Sequence, residues 1–132
     1  MSSTSQNKTG NIHRLALFHR TPIECAEIII SSQQFKKGGG LYGTGIYFAN
    51  TYEATTLKTK HHPKSKWCVL VADVYIGNYI VFTKNDALQK KIDTNELLKK
   101  GFNTIFGVQM PTGREIVCLE ESRVKNIRYV YG

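Results

Sequence analysis

A glycine-dense stretch, Gly38–Ala49, constrains this chain more than any other part of its sequence. Five of its first eight residues are glycine, and a short apolar, aromatic segment follows at once. Glycine loses more conformational freedom on folding than any other residue, so it suits places where the backbone bends sharply or approaches a ligand. Tyr47 stands only a few residues from this bare backbone. The pairing suggests a ligand clamp, and a glycine-rich hairpin with an ordinary core tyrosine is the alternative.

Gly38–Gly43 formally fits the G-x-G-x-x-G pattern of dinucleotide-binding folds. That fingerprint needs a strand before the glycines and a helix after them, so that the start of the helix faces the pyrophosphate. Here a helix-like segment precedes the glycines and a strand-like segment follows. The order is reversed, which excludes a Rossmann site, and the sequence contains no P-loop.

Length and composition predict a single folded domain. The chain has 132 residues, 41% of them hydrophobic and 11% aromatic, which suits one modest core. The polar residues 1–11 predict a disordered or frayed N-terminus, and residues 12–132 form the expected domain. No apolar run has membrane-spanning length and none resembles an export signal. We therefore expect no membrane partner and an intracellular location, cytoplasmic or nuclear.

The charge balance favours anionic partners. The 18 Lys and Arg against 10 Asp and Glu give a net charge of +8, which suits nucleic acid, acidic proteins or phosphate-bearing ligands without choosing among them. Three well-separated cysteines predict reduced, buried thiols. The adjacent His61 and His62 have no partner cluster, so we expect no metal site.

Hydrophobic patterning predicts an α+β domain with a mostly antiparallel sheet, split in two, and short helices at its side. The apolar run Leu15–Phe18 indicates a buried strand that ends at His19. Thr21 is placed to cap the next helix, with Pro22 at the first helical position and Glu24 completing a capping box.

Further elements are expected along the rest of the chain. Trp67–Ile76 is long, β-branched and apolar, and a turn at Gly77 and Asn78 leads into another strand. Asp93 marks the start of a short helix that ends before Gly101. The other predicted elements are a short helix within 50–60 and strands at 102–106, 115–119 and 124–131.

Three residues are candidates for a functional site. His19 ends an apolar strand, Tyr47 follows the glycine turn, and Glu115 opens a strand that should be buried. Taken one at a time, such residues are more often structural. A carboxylate that enters a buried strand, however, needs either a partner or a function.

In series, these segments resemble the catalytic domain of the poly(ADP-ribose) polymerase family of ADP-ribosyltransferases. The most specific match is Gly43–Ala49, at the end of the matching stretch Gly38–Ala49, and the matches follow the family's order over about residues 14–131. The others are Leu17–Thr21, Trp67–Gly77, Lys100–Ile105, Gly113–Val117 and Ser122–Val124. The resemblance implies a compact version of that domain, a split antiparallel β-sheet clasp that binds NAD and has short flanking helices.

The resemblance also implies roles for single residues. The family's His-Tyr-Glu signature falls on His19, Tyr47 and Glu115, which would be the catalytic residues. His19 would hydrogen-bond the ribose on the adenosine side, and Glu115 would contact the ribose next to nicotinamide. Tyr47 would stack on the cationic nicotinamide ring. The backbone of Arg20 would hold the nicotinamide amide, with Thr21 nearby. Further contacts with NAD would come from Gly45, Phe48, Ala49 and Thr55.

The chemistry of this family accounts for the carboxylate. Breaking the glycosidic bond to nicotinamide builds positive charge on the ribose, as in the oxocarbenium-like transition state of glycosidases. A fixed carboxylate stabilises that charge as it develops, so removing Glu115 should reduce turnover more than NAD affinity. The chain departs from the family pattern in three places. Arg20 replaces a glycine, Thr44 replaces a common lysine, and Lys58 replaces a second ring at the nicotinamide.

The sequence therefore predicts an NAD-dependent ADP-ribosyltransferase that transfers ADP-ribose, preferably as a single unit, to a protein or a nucleic acid. NAD would be a co-substrate. Two alternatives stay open. One is an inactive module of the same fold that binds NAD, ADP-ribose or nucleic acid. The other is an NAD glycohydrolase, in which water is the acceptor.

Overall fold

The computed structural model describes residues 7–56, 66–109 and 113–130, which form an α+β fold with short helices, as predicted. The strands are β1 (Thr9–Ile12), β2 (Leu15–Pro22), β3 (Ile46–Ala49), β4 (Trp67–Val74), β5 (Gly77–Thr83), β6 (Thr104–Gln109), β7 (Gly113–Cys118) and β8 (Val124–Tyr129). The helices are α1 (Ile23–Ser32), α2 (Tyr52–Thr56), α3 (Lys84–Gln89) and α4 (Thr94–Lys99), and a 3-10 turn covers Glu121–Arg123.

The strands form one sheet in the order β1-β5-β6-β7-β3-β2-β4-β8. Neighbours are antiparallel except β5 and β6, which run parallel because α3 and α4 carry the chain back between them. A sheet divided in two was expected. Instead, two halves are joined at a narrow junction, where β2 and β3 share only the pair Phe18 and Ala49. By comparison, β2 and β4 share eight pairs, from Leu15 to Pro22 on β2.

Apolar clusters cover both faces of the sheet. Successive residues of a strand point to opposite sides, and on β7 this sends Ile116 and Cys118 into one cluster and Val117 into another. The first cluster includes Ala26 of α1, and the second includes Leu97 of α4. Strands β3, β5, β6 and β7 contribute to both clusters, whereas β2, β4 and β8 contribute to the first alone.

The start of α1 differs from the prediction. Strand β2 continues to Pro22, with Thr21 paired to Cys68, and the helix begins at Ile23 without a side-chain cap. The predicted capping role of Thr21 is therefore wrong. Pairing along the whole of β2 keeps this residue in the sheet, where it is buried.

Two short helices have the caps that their sequences encode. Asp93 caps α4 as predicted, and its Oδ1 accepts the N–H groups of Asn95 at 3.1 Å and Glu96 at 3.2 Å. Helix α3 was not predicted. It begins with a capping box, in which Thr83 and Asp86 each accept the other's backbone N–H.

The expected frayed terminus is wrong for residues 9–11, which belong to β1. This strand pairs with β5 at the edge of the sheet, and the side chain of Asn11 donates to Asn78 Oδ1 at 2.8 Å. The three cysteines are free, and Cys25 is exposed on α1 rather than buried as expected. Within the described ranges, no helix has the length and apolar character needed to span a bilayer.

Candidate functional site

The glycine stretch folds into a tight loop that is closed at its base. Gly38 and Gly45 pair through two backbone hydrogen bonds, of 2.8 and 3.0 Å. Nearer the tip, the N–H of Gly43 donates to the carbonyl of Gly40 at 3.1 Å. Gly43 has a φ of 91°, a left-handed conformation that side chains disfavour. The glycines therefore let the chain fold back sharply just before β3.

The loop closes around the phenol of Tyr47. The Tyr47 hydroxyl donates to the carbonyl of Gly43 at 2.6 Å and accepts the N–H of Tyr42 at 2.9 Å. The backbone of Gly40 lies against the ring, since a Cβ added there would stand 2.7 Å from the hydroxyl oxygen. Tyr47 therefore fixes the shape of the loop.

The environment of Tyr47 keeps its hydroxyl protonated. The pKa of Tyr47 is raised to about 12, mainly by burial. The hydrogen bond from the Tyr42 N–H lowers this pKa, and the charge of Glu115 raises it further. At neutral pH the hydroxyl is therefore a donor, as its bond to Gly43 requires.

His19 lies at the junction of the two halves of the sheet. Its Nδ1 is 2.8 Å from the carbonyl oxygen of Tyr47. A carbonyl oxygen can only accept, so Nδ1 carries the proton and Nε2 is an acceptor in the neutral ring. The ring packs edge-on against Phe35 and Phe48, with centroids 4.9 and 6.1 Å away. His19 thus links β2 to β3 beside their single residue pair.

Two openings meet at His19 and Tyr47, which border both. One is a groove of about 610 Å³ between α1 and the glycine loop, bordered also by Gly45. The other is a small cavity of about 70 Å³ where β2 and β3 part. The residues that line this cavity are Phe18, His19, Arg20, Tyr47, Ala49 and Thr55. All except Phe18 are site residues that the sequence predicts.

The remaining predicted site residues lie outside the cavity lining. Phe48 is 1% exposed and belongs to the first apolar cluster, so its side chain packs in the core. Thr21 is buried in β2. Gly45 borders the groove and pairs with Gly38. Lys58, which the resemblance places at the nicotinamide, lies outside the described residues.

Glu115 lies on the strand next to β3. It is directly opposite Ala49 on β3 and Gly107 on β6. Directly opposed residues of antiparallel strands project to the same face, so the Glu115 side chain leaves the sheet beside Ala49. This is also the face of Tyr47, two residues before Ala49. Burial is the main cause that raises the pKa of Tyr42, and the charge of Glu115 is the second cause.

Arg20 lines the cavity, and its guanidinium carries hydrogen-bond donors. Its Nε is buried and, among the described residues, has no hydrogen-bond partner. An unpaired buried N–H is costly, and a ligand oxygen in the cavity would relieve that cost. Arg20, one of the departures from the resembled sequence pattern, therefore lies at the cavity.

Two residues near the site were not predicted from sequence. The apolar run Leu15–Phe18 predicts Phe18 as a core residue, although alternation along β2 puts it on the face opposite His19. Tyr42 is fully buried beside Gly107, a residue far away in the chain. No local pattern indicates that contact, because it depends on how the glycine loop folds over β6.

In the part of the chain that the structure describes, no three His, Cys, Asp or Glu side chains are grouped so that they could hold a metal ion. No known family model matches this sequence, and no curated protein matches it significantly.

Proposed function

We propose that this protein is an NAD-dependent ADP-ribosyltransferase that releases nicotinamide and transfers a single ADP-ribose to a protein or nucleic-acid acceptor. One observation carries the proposal: His19, Arg20, Tyr47 and Thr55 line the same cavity. The sequence resemblance assigns each of these residues to NAD. Their convergence at the junction of β2 and β3 supports the proposal.

The donors and acceptors of the cavity suit a carboxamide on an aromatic ring. The Thr55 hydroxyl donates to the carbonyl of Tyr52 at 2.6 Å, which leaves its oxygen as an acceptor for the amide N–H. The buried Nε of Arg20 can donate to the amide oxygen. The ring of Tyr47 suits a cationic partner, because the face of an aromatic ring is electron-rich.

The groove suits the rest of the dinucleotide. Its volume of about 610 Å³ lies within the range of roughly 300–1,000 Å³ found for ligand pockets. His19 borders both openings, and Nε2 of its neutral ring can accept a hydroxyl proton of ribose. In this proposal NAD extends from the cavity into the groove past His19.

In the reaction, the bond between ribose C1′ and the nicotinamide nitrogen breaks, and neutral nicotinamide leaves with the electron pair. Positive charge develops on the ribose, and the carboxylate of Glu115 stabilises it. The nucleophile of the acceptor then bonds to C1′ and loses its proton. The side chain of Glu115 leaves the sheet beside Ala49, which lines the cavity, and this position is compatible with the role.

The test is to incubate the protein with labelled NAD and with protein and oligonucleotide acceptors, and to measure nicotinamide release and label transfer. Glu115→Gln should lower release by about 100-fold or more, with a small change in NAD affinity, because the carboxylate acts mainly in the transition state. Glu96→Gln, on the exposed side of α4, is the matched control and should behave as the unaltered protein.

The same experiment separates the alternatives. Release of nicotinamide without label on any acceptor would identify an NAD glycohydrolase. Binding of NAD or ADP-ribose with neither release nor transfer would identify a binding module. A protein that fails to bind NAD at all would overturn the proposal and its site.

A further inference from the structure

Tyr42 has a buried hydroxyl that lacks a partner among the residues described. The residue is 0% exposed, and its hydroxyl oxygen makes no hydrogen bond to any residue that the structure describes. Buried tyrosine hydroxyls usually have a partner, because the unfolded chain satisfies the same group with water. The Tyr42 hydroxyl therefore requires an acceptor within reach.

The ring of Tyr42 lies over Gly107 of β6. A Cβ added to Gly107 would stand 2.8 Å from the Tyr42 hydroxyl oxygen and would overlap with the ring. Any larger residue at this position would displace Tyr42. The glycine therefore lets the hydroxyl reach the surface of the sheet.

Glu115 is the direct partner of Gly107 on β7. Opposed residues share a face, with Cβ atoms about 4.5–5.5 Å apart. The Tyr42 hydroxyl is close to the Cβ position of Gly107, and the carboxylate carbon of Glu115 is two bonds beyond its own Cβ. The carboxylate can therefore reach the hydroxyl on the shared face.

The charges around Tyr42 favour a donated hydrogen bond. Burial raises the pKa of Tyr42, and the charges of Glu115 and Asp86 raise it further, so the hydroxyl stays protonated. Asp86 is held on α3, where its Oδ2 accepts the N–H of Thr83 at 2.8 Å. Glu115 is the acceptor that projects from the sheet beneath the ring.

We propose that Tyr42 is a positioning residue: a rotation of the Glu115 side chain brings its carboxylate to the Tyr42 hydroxyl, which then donates a hydrogen bond to it and holds it in place for the reaction. The catalytic part of this inference rests on the proposed function. The backbone N–H of Tyr42 also bonds the Tyr47 hydroxyl, at 2.9 Å. One residue of the glycine loop thus orients both the aromatic ring and the carboxylate.

A double-mutant cycle on folding stability tests the hydrogen bond without any need for activity. Urea unfolding is measured for the unaltered protein, Tyr42→Phe, Glu115→Ala and the double variant. Tyr42→Phe removes one oxygen and should raise the unfolding equilibrium constant about tenfold, since the bond involves a charged acceptor. When Glu115 is already alanine, adding Tyr42→Phe should leave the unfolding equilibrium constant nearly unchanged.

Two outcomes of the cycle would overturn the proposal. If Tyr42→Phe leaves stability unchanged or increases it, the hydroxyl has no partner in the folded protein. If Tyr42→Phe lowers folding stability equally when Glu115 is alanine, the acceptor is another group, such as Asp86.

Steady-state kinetics test the positioning role. For Tyr42→Phe we expect kcat for nicotinamide release to fall about tenfold, a loss typical of an orienting hydrogen bond, with KM for NAD within about twofold. Tyr79→Phe is the matched control, because Tyr79 packs on Phe106 on the opposite face of the sheet. An unchanged kcat in Tyr42→Phe would overturn the positioning role even if the cycle shows coupling. If the unaltered protein releases no nicotinamide, the proposed function fails, while the cycle still decides whether Tyr42 bonds Glu115.

Discussion

At the residue scale, Tyr47 serves two purposes with different parts of one side chain. The hydroxyl holds the glycine loop through Gly43 and Tyr42, and the residue also borders the cavity between β2 and β3. The glycines and the tyrosine of the sequence pattern therefore form one structural unit. Replacing the hydroxyl and replacing the whole ring should have separable effects.

Tyr47→Phe should lower the free energy of unfolding by about 1–2 kcal/mol, because the Gly43 carbonyl and the Tyr42 N–H lose their partner. NAD affinity should change little, since the ring remains. Tyr47→Ala should also weaken NAD binding, by about tenfold. Urea unfolding and titration calorimetry measure the two effects. Unchanged NAD affinity in Tyr47→Ala would mean that the ring is not a wall of the nicotinamide site.

The raised pKa of Tyr47 predicts a pH dependence of stability. The phenol ionises near pH 10 in the unfolded chain and at about 12 in the folded protein. A pKa that is higher in the folded state stabilises the fold fully below about pH 10, and this contribution is lost as the pH rises to about 12. From about pH 9 to 12, the unaltered protein should lose about 2–3 kcal/mol relative to Tyr47→Phe. A difference that stays constant over this range would contradict the assignment.

At the element scale, the sequence predicts elements best where local patterns decide them. The apolar run of β4 and the Asp93 cap of α4 are confirmed, and the glycine loop turns where its glycines are. The errors occur where pairing between strands distant in sequence determines the secondary structure. Thr21 matches a capping pattern but belongs to strand β2, which pairs with β4. The polar segment β1 is a strand because it pairs with the edge of β5.

The glycine loop itself provides a matched pair of substitutions. Gly40→Ala places a Cβ 2.7 Å from the Tyr47 hydroxyl oxygen and should cost about 1–3 kcal/mol of folding stability, as overpacking does. At Gly39 an added Cβ meets nothing within 4 Å, so Gly39→Ala should be neutral or stabilise by up to about 1 kcal/mol. Thermal unfolding compares the two variants. Equal effects would show that the loop does not close around Tyr47.

At the scale of the whole molecule, the candidate site lies where the sheet is weakest. The halves of the sheet share one residue pair, and the cavity lies beside it, with His19 on one side and Tyr47 on the other. Sequence patterns could name these residues but could not locate the junction, because a narrow contact between two strands has no local signature. For the same reason, the approach of Tyr42 to Glu115 follows from the register of β6 and β7 and from no pattern within either segment.

The junction predicts different outcomes for two substitutions of His19. The side-chain amide of asparagine can take the place of Nδ1 and donate to the Tyr47 carbonyl, whereas alanine cannot. We expect His19→Ala to lower the free energy of unfolding by about 2 kcal/mol, and His19→Asn to lower it by about half that amount. Amide hydrogen exchange in β3 should be faster in His19→Ala than in His19→Asn, because opening of the junction exposes β3 first. NAD affinity should fall in both variants, since both lack Nε2. Equal exchange rates in β3 for the two variants would show that the His19 hydrogen bond does not hold the halves of the sheet together.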